Sequence, residues 1–186
     1  LKEIISDCFF VQWHITSSCN LACAHCYGSY GKKNSNELST QECKKFLKCY
    51  SEWMNDWKLK GAIHFTGGEP LLRKDIFNLI QYAKKLGLDV VLLSNATLIN
   101  KEKARKIAEL GVKSVSIGFD YPDAFCFDNF RGVNGAFNKV IEGIKNLKKY
   151  GIKVTIGPTV NKKNIKKLPD LLNLADSLGV DYFRIH

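Results

Sequence analysis

The strongest constraint on the fold is a repeated order of segments: an amphipathic helical segment, one glycine, and a short apolar segment typical of a strand. The glycines of this repeat are Gly87, Gly111, Gly151 and Gly179. Glycine is favoured directly after a helix because it readily adopts the left-handed backbone conformation that ends the last turn. Helices that alternate regularly with strands predict a parallel sheet with right-handed crossover connections, which is an α/β fold.

The hydrophobic pattern predicts six strands and five helices. The predicted strands cover residues 9–15, 62–66, 88–93, 112–119, 152–160 and 180–185. The predicted helices begin at a cap on Thr40, at the turn that contains Pro70, and near residues 100, 135 and 164. Residues 27–38 and 120–133 are predicted to be loops, and Gly157-Pro158 indicates a bulge or a strand end.

Three cysteines, Cys19, Cys23 and Cys26, lie within one short segment directly after the first predicted strand. Thiolates on one loop can converge on the irons of an iron–sulfur cluster or on zinc. No fourth cysteine follows before Cys43, so a four-iron cluster would keep one iron open to a small molecule. Two other interpretations stay open at this point: a structural zinc site with His25 as the fourth ligand, and a group of buried cysteines.

A second motif follows the next predicted strand, where Gly67-Gly68-Glu69-Pro70 stands after an apolar segment. Together with the earlier Cys-x-x-x-Cys-x-x-Cys, it resembles the radical S-adenosylmethionine (radical SAM) enzymes, and the resemblance covers nearly the whole chain. It implies a [4Fe-4S] cluster on the three cysteines, with S-adenosylmethionine chelating the open iron through its amino and carboxylate groups. Reductive cleavage then yields a 5′-deoxyadenosyl radical that abstracts hydrogen from a peptide, a tetrapyrrole or another small metabolite.

The resemblance also narrows the fold. It implies a partial, open (β/α)6 TIM-like barrel of parallel strands, truncated after the sixth strand, whereas a closed eight-stranded barrel needs about 250 residues. Residues 1–186 are then one radical SAM core domain that lacks its last helix and any C-terminal extension. The pattern is closest to the SPASM and twitch group, whose members carry extra clusters in such an extension.

The active site of a barrel lies at the C-terminal ends of its strands. The residues that the resemblance assigns to S-adenosylmethionine binding follow strand ends, and the first of them follow strands 1 and 2. His25 and Tyr27 flank the third cysteine, and the resemblance places His25 against the adenine. Gly67 and Gly68 let the backbone approach the methionyl ammonium, and Glu69 supplies a negative charge for it.

The other implied cofactor residues follow later strands; they are Ser94, Asn95, Asp120, Arg131 and Thr159. Arg131 resembles the arginine that many relatives place on the S-adenosylmethionine carboxylate, a role that suits a guanidinium. Asn164 matches the same group or caps the last predicted helix. The sequence departs from the family where Gly118-Phe119-Asp120-Tyr121 replaces the usual Ser-Leu/Ile-Asp-Gly, so one serine contact is lost. No catalytic residue beyond the cluster is assigned.

Composition bears on the location of the protein and on its electron source. No apolar segment reaches the roughly 20 residues that span a bilayer, and no signal segment opens the chain. The odd count of 7 cysteines favours reduced thiols in a cytoplasm. The resemblance implies an oxygen-sensitive enzyme that takes electrons from a donor such as ferredoxin or flavodoxin.

The net charge of +10 permits nucleic-acid binding, so a radical SAM enzyme that modifies tRNA is one alternative. Lysine pairs are spread over the predicted helix surfaces, however, which favours a solvated surface over a nucleic-acid site. A further alternative is a non-catalytic iron–sulfur or zinc module that binds a partner. The Gly-Gly-Glu-Pro turn argues against this module, because metal binding alone does not need it.

Overall fold

Six parallel strands form one sheet, in which they lie in the order of the sequence. The computed structural model describes residues 8–26, 28 and 36–185. The strands are Cys8–Thr16 (β1), Lys60–Gly67 (β2), Asp89–Ser94 (β3), Ser114–Ile117 (β4), Lys153–Ile156 (β5) and Tyr182–Phe183 (β6). The helices are Thr40–Asp56 (α1), Ile76–Lys85 (α2), Lys101–Glu109 (α3), Ala124–Arg131 (α4), Ala136–Lys149 (α5) and Leu168–Ser177 (α6).

This architecture confirms the predicted α/β fold, with an open sheet of parallel strands and alternating helices. The repeat glycines have positive φ angles of +79° at Gly87, +67° at Gly111, +70° at Gly151 and +67° at Gly179. Each one ends its helix in the left-handed conformation that the sequence pattern predicts. The chain can therefore turn sharply from each helix into the next strand.

The two faces of the sheet differ in burial. One face carries aliphatic side chains that are 0% exposed beneath the helices, such as Leu92, Val115 and Val154. The alternate residues on the other face, Leu93, Ser116 and Thr155, are aligned across three strands and are only half-buried. Parallel sheets are normally covered on both faces. The partly polar, half-buried face is the concave side expected of an open barrel.

Helix α4 corrects the prediction that residues 120–133 form an irregular loop. The side chain of Asp123 caps its first turn by accepting a hydrogen bond from the Cys126 amide at 2.8 Å. Gly132 ends it with a φ angle of +70°. The strand before it, β4, ends at Ile117, so Asp120 lies in the connection between strand and helix and not at the strand end itself.

Several other boundaries differ from the prediction. Ser39, and not Thr40, caps α1, because Ser39 and Glu42 form a reciprocal capping box. The Gly-Gly-Glu-Pro turn opens a short 3-10 helix, Pro70–Leu72, before α2 begins. Strand β5 ends before Gly157-Pro158, which fits the strand-end alternative.

The end of the chain also departs from the predicted boundaries. The helix predicted from residue 164 starts as a 3-10 turn, Ile165–Lys167, and continues as α6. Strand β6 is shorter than predicted. Most of the predicted loop 27–38 lies outside the described residues. Within the described residues, no helix has the length and apolar character needed to cross a membrane.

Candidate functional site

The cysteine triplet lies in the loop that leaves the C-terminal end of β1. Cys19, Cys23 and Cys26 are all half-buried, and no disulfide joins the seven cysteines of the chain. Burial raises the pKa of the Cys19 thiol. Because β1 pairs with β2, this loop stands directly beside the turn that follows β2.

A polar network holds one side of the cysteine loop to the end of β3. The Asn20 side-chain amide donates to the Thr97 hydroxyl at 2.8 Å, and the Asn95 amide donates to Asn20 Oδ1 at 2.9 Å. The Asn95 amide also lies 4.0 Å from Cys19 Sγ. Asn95 was predicted to be a cofactor residue, and the structure gives it a direct contact with the loop that carries the cysteines.

The C-terminal end of α4 holds the other side of the loop. The amides of Ala22 and Ala24 donate to the carbonyls of Arg131 and Phe130 at 3.0 and 2.9 Å. The His25 ring stacks on Phe130, with ring centroids 4.5 Å apart and planes at 4°. Burial and the nearby Arg131 guanidinium lower the pKa of His25. The helix that sequence reasoning missed thus supports the cysteine loop.

The Gly-Gly-Glu-Pro turn also packs directly on the cysteine loop. The amides of Gly68 and Glu69 donate to the carbonyls of Thr16 and Ser18 at 2.9 and 2.8 Å. A Cβ atom on Gly68 would lie 2.3 Å from the Ser18 carbonyl oxygen, which no real side chain tolerates. Glycine is therefore required here for the close approach of two backbones, in addition to any approach to a ligand.

Glu69 is fully buried and its carboxylate points to the end of β3. It accepts hydrogen bonds from the Leu71 amide at 3.0 Å, the Ser94 hydroxyl at 2.9 Å and the Asn95 amide at 2.7 Å. Burial raises the pKa of Glu69, while these donors act in the opposite direction. The carboxylate thus fixes the positions of Ser94 and Asn95.

Arg131 lies beneath the cysteine loop and is 6% exposed. Its Nη2 donates to the Gly118 carbonyl and to the Asp120 carboxylate, and its Nη1 lies 3.6 Å from Cys23 Sγ. The guanidinium also lies over the Phe127 ring at 5.3 Å. Within the described residues, Arg131 Nε is a buried nitrogen without a hydrogen-bond partner. One donor of this buried arginine therefore has no acceptor among the described residues.

Asp120 joins the ends of β4 and β5. Its Oδ1 accepts from the Thr159 amide at 2.8 Å, and its backbone carbonyl accepts from the Asn164 side chain at 3.3 Å. Asn164 is 0% exposed and also donates to the Thr159 carbonyl at 2.9 Å. Its side chain makes no cap bond to the following turn, so the predicted capping role is wrong. Asn164 instead connects two strand ends.

A cavity of about 240 Å³ opens at the C-terminal ends of the central strands. The residues around it are Thr66, Gly68, Leu93, Ser94, Asn95, Ser116, Gly118, Arg131 and Gly157. Four predicted site residues are among them, namely Gly68, Ser94, Asn95 and Arg131. The other predicted residues are not part of this wall. His25 faces Phe130, and Gly67 and Glu69 flank Gly68 in the sequence. Asp120 contacts Arg131, and Thr159 contacts Asp120. Tyr27 lies outside the described residues.

The residues present fit an iron–sulfur cluster with a bound cofactor. Three thiols share one loop, the adjacent cavity is lined by backbone and hydroxyl groups, and a buried arginine nitrogen beside it has an unused hydrogen. Within the described part of the chain, no three His, Cys, Asp or Glu side chains are close enough to hold a single metal ion.

Sequence reasoning missed Asn20, Thr97 and Phe130, which position the cysteine loop. Phe130 precedes the predicted Arg131 and follows the capping residue Asp123, so a capping residue followed by several aromatic residues was an available signal. Thr97 belongs to a Ser-Asn-Ala-Thr segment that resembles the family's Ser/Thr-Asn-Gly-Thr, but its contact with Asn20 exists only after β1 and β3 are placed near one another.

Comparison with known families bears on the interpretations of the triplet. The sequence model of the Radical SAM superfamily matches residues 13–175. The chain belongs to the radical SAM superfamily. Radical SAM enzymes use a [4Fe-4S] cluster and S-adenosylmethionine, which favours the cluster interpretation over zinc and over a group of buried cysteines.

Two curated radical SAM relatives illustrate the range of chemistry around this chain. AdoMet-dependent heme synthase of Oleidesulfovibrio alaskensis is 41% identical over 186 residues, which are 100% of this chain and 47% of that protein. Mycofactocin maturase MftC of Mycolicibacterium smegmatis is 32% identical over 170 residues, which are 91% of this chain and 42% of that protein. The chain thus spans less than half the length of these relatives.

A solved structure shares the radical SAM fold. SuiB of Streptococcus suis was crystallised with S-adenosylmethionine and with its precursor peptide SuiA, and the two structures match with TM-scores of 0.75 and 0.77. Each match covers 95% of this chain at 20% identity. It covers 39% of the SuiB chain in the structure with S-adenosylmethionine and 38% in the structure with SuiA. At this level of identity the likeness concerns the fold, a partial TIM barrel.

Proposed function

We propose that this chain is the core of a radical SAM enzyme that holds a [4Fe-4S] cluster on Cys19, Cys23 and Cys26. The observation that carries the proposal is the attachment of the cysteine loop to both walls of one cavity, through Asn95 on one side and Arg131 on the other. When bound, the cluster and S-adenosylmethionine supply a 5′-deoxyadenosyl radical that abstracts hydrogen from the substrate.

The residues around the cavity would receive S-adenosylmethionine. Gly68 and Asn95 offer polar groups at the wall, and Arg131 offers its unused Nε–H to the carboxylate. Glu69 supports the site by fixing Ser94 and Asn95, and its negative charge favours a nearby ammonium. This support keeps the polar groups in place before the cofactor binds, which lowers the entropic cost of binding.

The remaining predicted residues would act at the edge of the site. His25 stacks on Phe130 and presents an aromatic face near the third cysteine, in keeping with its predicted place against the adenine. Asp120 and Thr159 hold the ends of β4 and β5 together. Gly67 brings the turn close to the Thr16 backbone, and Tyr27 stays a prediction from the sequence.

The favoured substrate is a tetrapyrrole. The heme synthase is 41% identical to this chain, against 32% for the peptide maturase, and the half-buried concave face offers small hydroxyl and aliphatic side chains to a large apolar ring. A peptide is the second candidate, supported by the maturase. The reconstituted, reduced protein would be incubated with S-adenosylmethionine and either carboxylated tetrapyrroles or peptides. This assay distinguishes the two candidate substrates, since only the true substrate increases the release of 5′-deoxyadenosine.

The electron source and location belong to the same proposal. A small redox protein such as ferredoxin or flavodoxin would supply the electron in the cytoplasm, where thiols stay reduced. The basic charge of +10 suits an acidic donor. Reduction of the cluster by purified flavodoxin, at a rate that falls as ionic strength rises, would support this part of the proposal.

Anaerobic reconstitution with iron and sulfide tests the cluster assignment. The wild-type chain is expected to bind four irons and to give an EPR spectrum that changes when S-adenosylmethionine is added. Replacement of Cys19, Cys23 and Cys26 by Ala is expected to abolish the cluster, whereas Cys43→Ala and Cys49→Ala are matched controls that retain it. A full four-iron cluster in the triple variant would contradict the assignment.

A further inference from the structure

We propose that Arg131 and Asp120 form a charge pair that sets the reduction potential of the cluster. Arg131 raises the potential and Asp120 limits that rise. The inference rests on the proposed binding of the cluster by Cys23, and it adds to Arg131 a role that is separate from contact with S-adenosylmethionine.

The geometry places the positive charge next to a ligand atom. Arg131 Nη1 lies 3.6 Å from Cys23 Sγ, at the distance of a hydrogen bond from nitrogen to sulfur. Reduction of a [4Fe-4S] cluster adds one electron, and part of that negative charge falls on the cysteine sulfurs. A cation beside one of these sulfurs therefore stabilises the reduced form more than the oxidised form, and hydrogen bonds to cluster sulfurs act in the same direction.

Burial makes this interaction strong. Arg131 and Asp120 are 6% and 1% exposed, so water screens their charges little. The orientation of the guanidinium is also fixed, because its other terminal nitrogen, Nη2, donates to the Gly118 carbonyl and to Asp120. A fixed, buried charge keeps the same distance from Cys23 in both redox states.

Asp120 is held in place independently of Arg131. Its Oδ1 accepts from the Thr159 amide at 2.8 Å, while Oδ2 accepts from Arg131. Asp120 accepts from Nη2 of the guanidinium, whereas Cys23 Sγ lies next to Nη1, so the positive charge is the member of the pair that contacts the ligand sulfur. Each charge can be removed separately.

The test is an EPR-monitored redox titration of the reconstituted full chain at pH 8, without S-adenosylmethionine. A chemical reductant supplies the electron, so cofactor binding and turnover do not enter the measurement. In Arg131→Gln, the ratio of reduced to oxidised cluster at a fixed solution potential is expected to fall about tenfold, which is about 59 mV for one electron. In Asp120→Asn, the same ratio is expected to rise severalfold.

The opposite signs of the two expected shifts distinguish an effect of charge from structural damage at the cluster. A disturbed loop would expose the cluster in both variants and shift both potentials in one direction. Arg131→Lys, which keeps the charge, is expected to lie nearer to wild type than Arg131→Gln does. The double variant is expected to lie between the two single variants.

Arg73 offers a matched control. It is also a largely buried arginine paired with an aspartate, Asp75, and it lies 3.5 Å from Cys43 Sγ, a cysteine outside the triplet. Arg73→Gln is therefore expected to lower stability without changing the reduction potential.

The outcomes distinguish this inference from the proposed function. If the wild-type chain assembles no cluster, the proposed function fails. If it assembles the cluster, but Arg131→Gln and Asp120→Asn shift the potential in the same direction or not at all, the charge-pair inference is wrong and the proposed function stands.

Discussion

The backbone amide of Ala22 donates a hydrogen bond of 3.0 Å to the backbone carbonyl of Arg131. The two residues are far apart in the sequence, yet this bond fastens the cysteine loop to the last residue of α4. Directly after it, a Cβ atom on Gly132 would lie 2.5 Å from the Ala22 carbonyl oxygen. The loop and the helix end are therefore in backbone contact at a point where only glycine fits.

Gly132→Ala is expected to displace the cysteine loop and to lower cluster incorporation by more than half. Gly135→Ala is the matched control, because its φ angle of +77° is equally left-handed, but a Cβ atom there meets nothing within 4 Å. Both variants should lose about 1–2 kcal/mol of stability from backbone strain. Iron and sulfide content after reconstitution measures the difference. Equal iron content in the two variants would show that the loop does not depend on this contact.

Glu69→Gln is expected to lower the free energy of unfolding of the apoprotein by about 1–3 kcal/mol. A glutamine side chain keeps one acceptor oxygen but turns a donor toward one of the groups that now donate to Glu69. Urea unfolding followed by circular dichroism gives the value. Glu42→Gln is the control, since glutamine also suits this exposed capping-box position and little change is expected.

Arg131→Ala is expected to weaken S-adenosylmethionine binding about ten- to a hundredfold, because a charge-assisted contact contributes roughly 1.5–3 kcal/mol. The cluster itself should persist, since Arg131 is not one of the proposed ligands. Titration of the cofactor, followed by cluster EPR, measures the affinity, with Arg73→Ala as the buried-arginine control. Unchanged affinity in Arg131→Ala would mean that the carboxylate binds elsewhere.

Acid stability should depend on Asp75. Burial raises the pKa of Asp75, but hydrogen bonds from Arg73 and Thr40 outweigh burial and hold this pKa below its usual range. A lowered folded-state pKa gives stability that is present above about pH 3.9, the unfolded value, and is lost as the pH falls through the folded value.

Asp75→Asn is therefore expected to remove part of the acid-induced fall in the free energy of unfolding, measured on the apoprotein between pH 5 and pH 2. Asp176→Asn at an exposed position is the control. An identical pH dependence in wild type and Asp75→Asn would rule out this contribution.

The sequence predicted the architecture well where local patterns determine it. Glycines that end helices and apolar strands gave the six strands and their parallel order, because both signals are contained within a few neighbouring residues. Helix α4 escaped prediction because its pattern is atypical: Phe125 is 78% exposed and Arg131 is buried, the reverse of an amphipathic helix. Contacts with Cys23, Gly118 and Asp120 explain the burial of Arg131, and the exposure of Phe125 has no structural explanation.

The site was predictable in its residue types more than in its contacts. Short motifs with fixed spacing indicated the cysteines and the glycine turn. The inward direction of Glu69 and the bridging role of Asn164 depend on the relative positions of separate strand ends, which no local pattern contains. The same holds for the contact between Arg131 and Cys23, residues that only the assembled sheet brings together.

Because side chains alternate along β4, the packing of the core and the shape of the cavity depend on different residues of this strand. Val115 and Ile117 point into the sealed core, while Ser116, between them, borders the cavity. A change in the size of Ser116 alters the space available to a ligand and leaves the packing of its two neighbours intact. The shape of the cavity can therefore change through a substitution at Ser116 without a compensating change in the core.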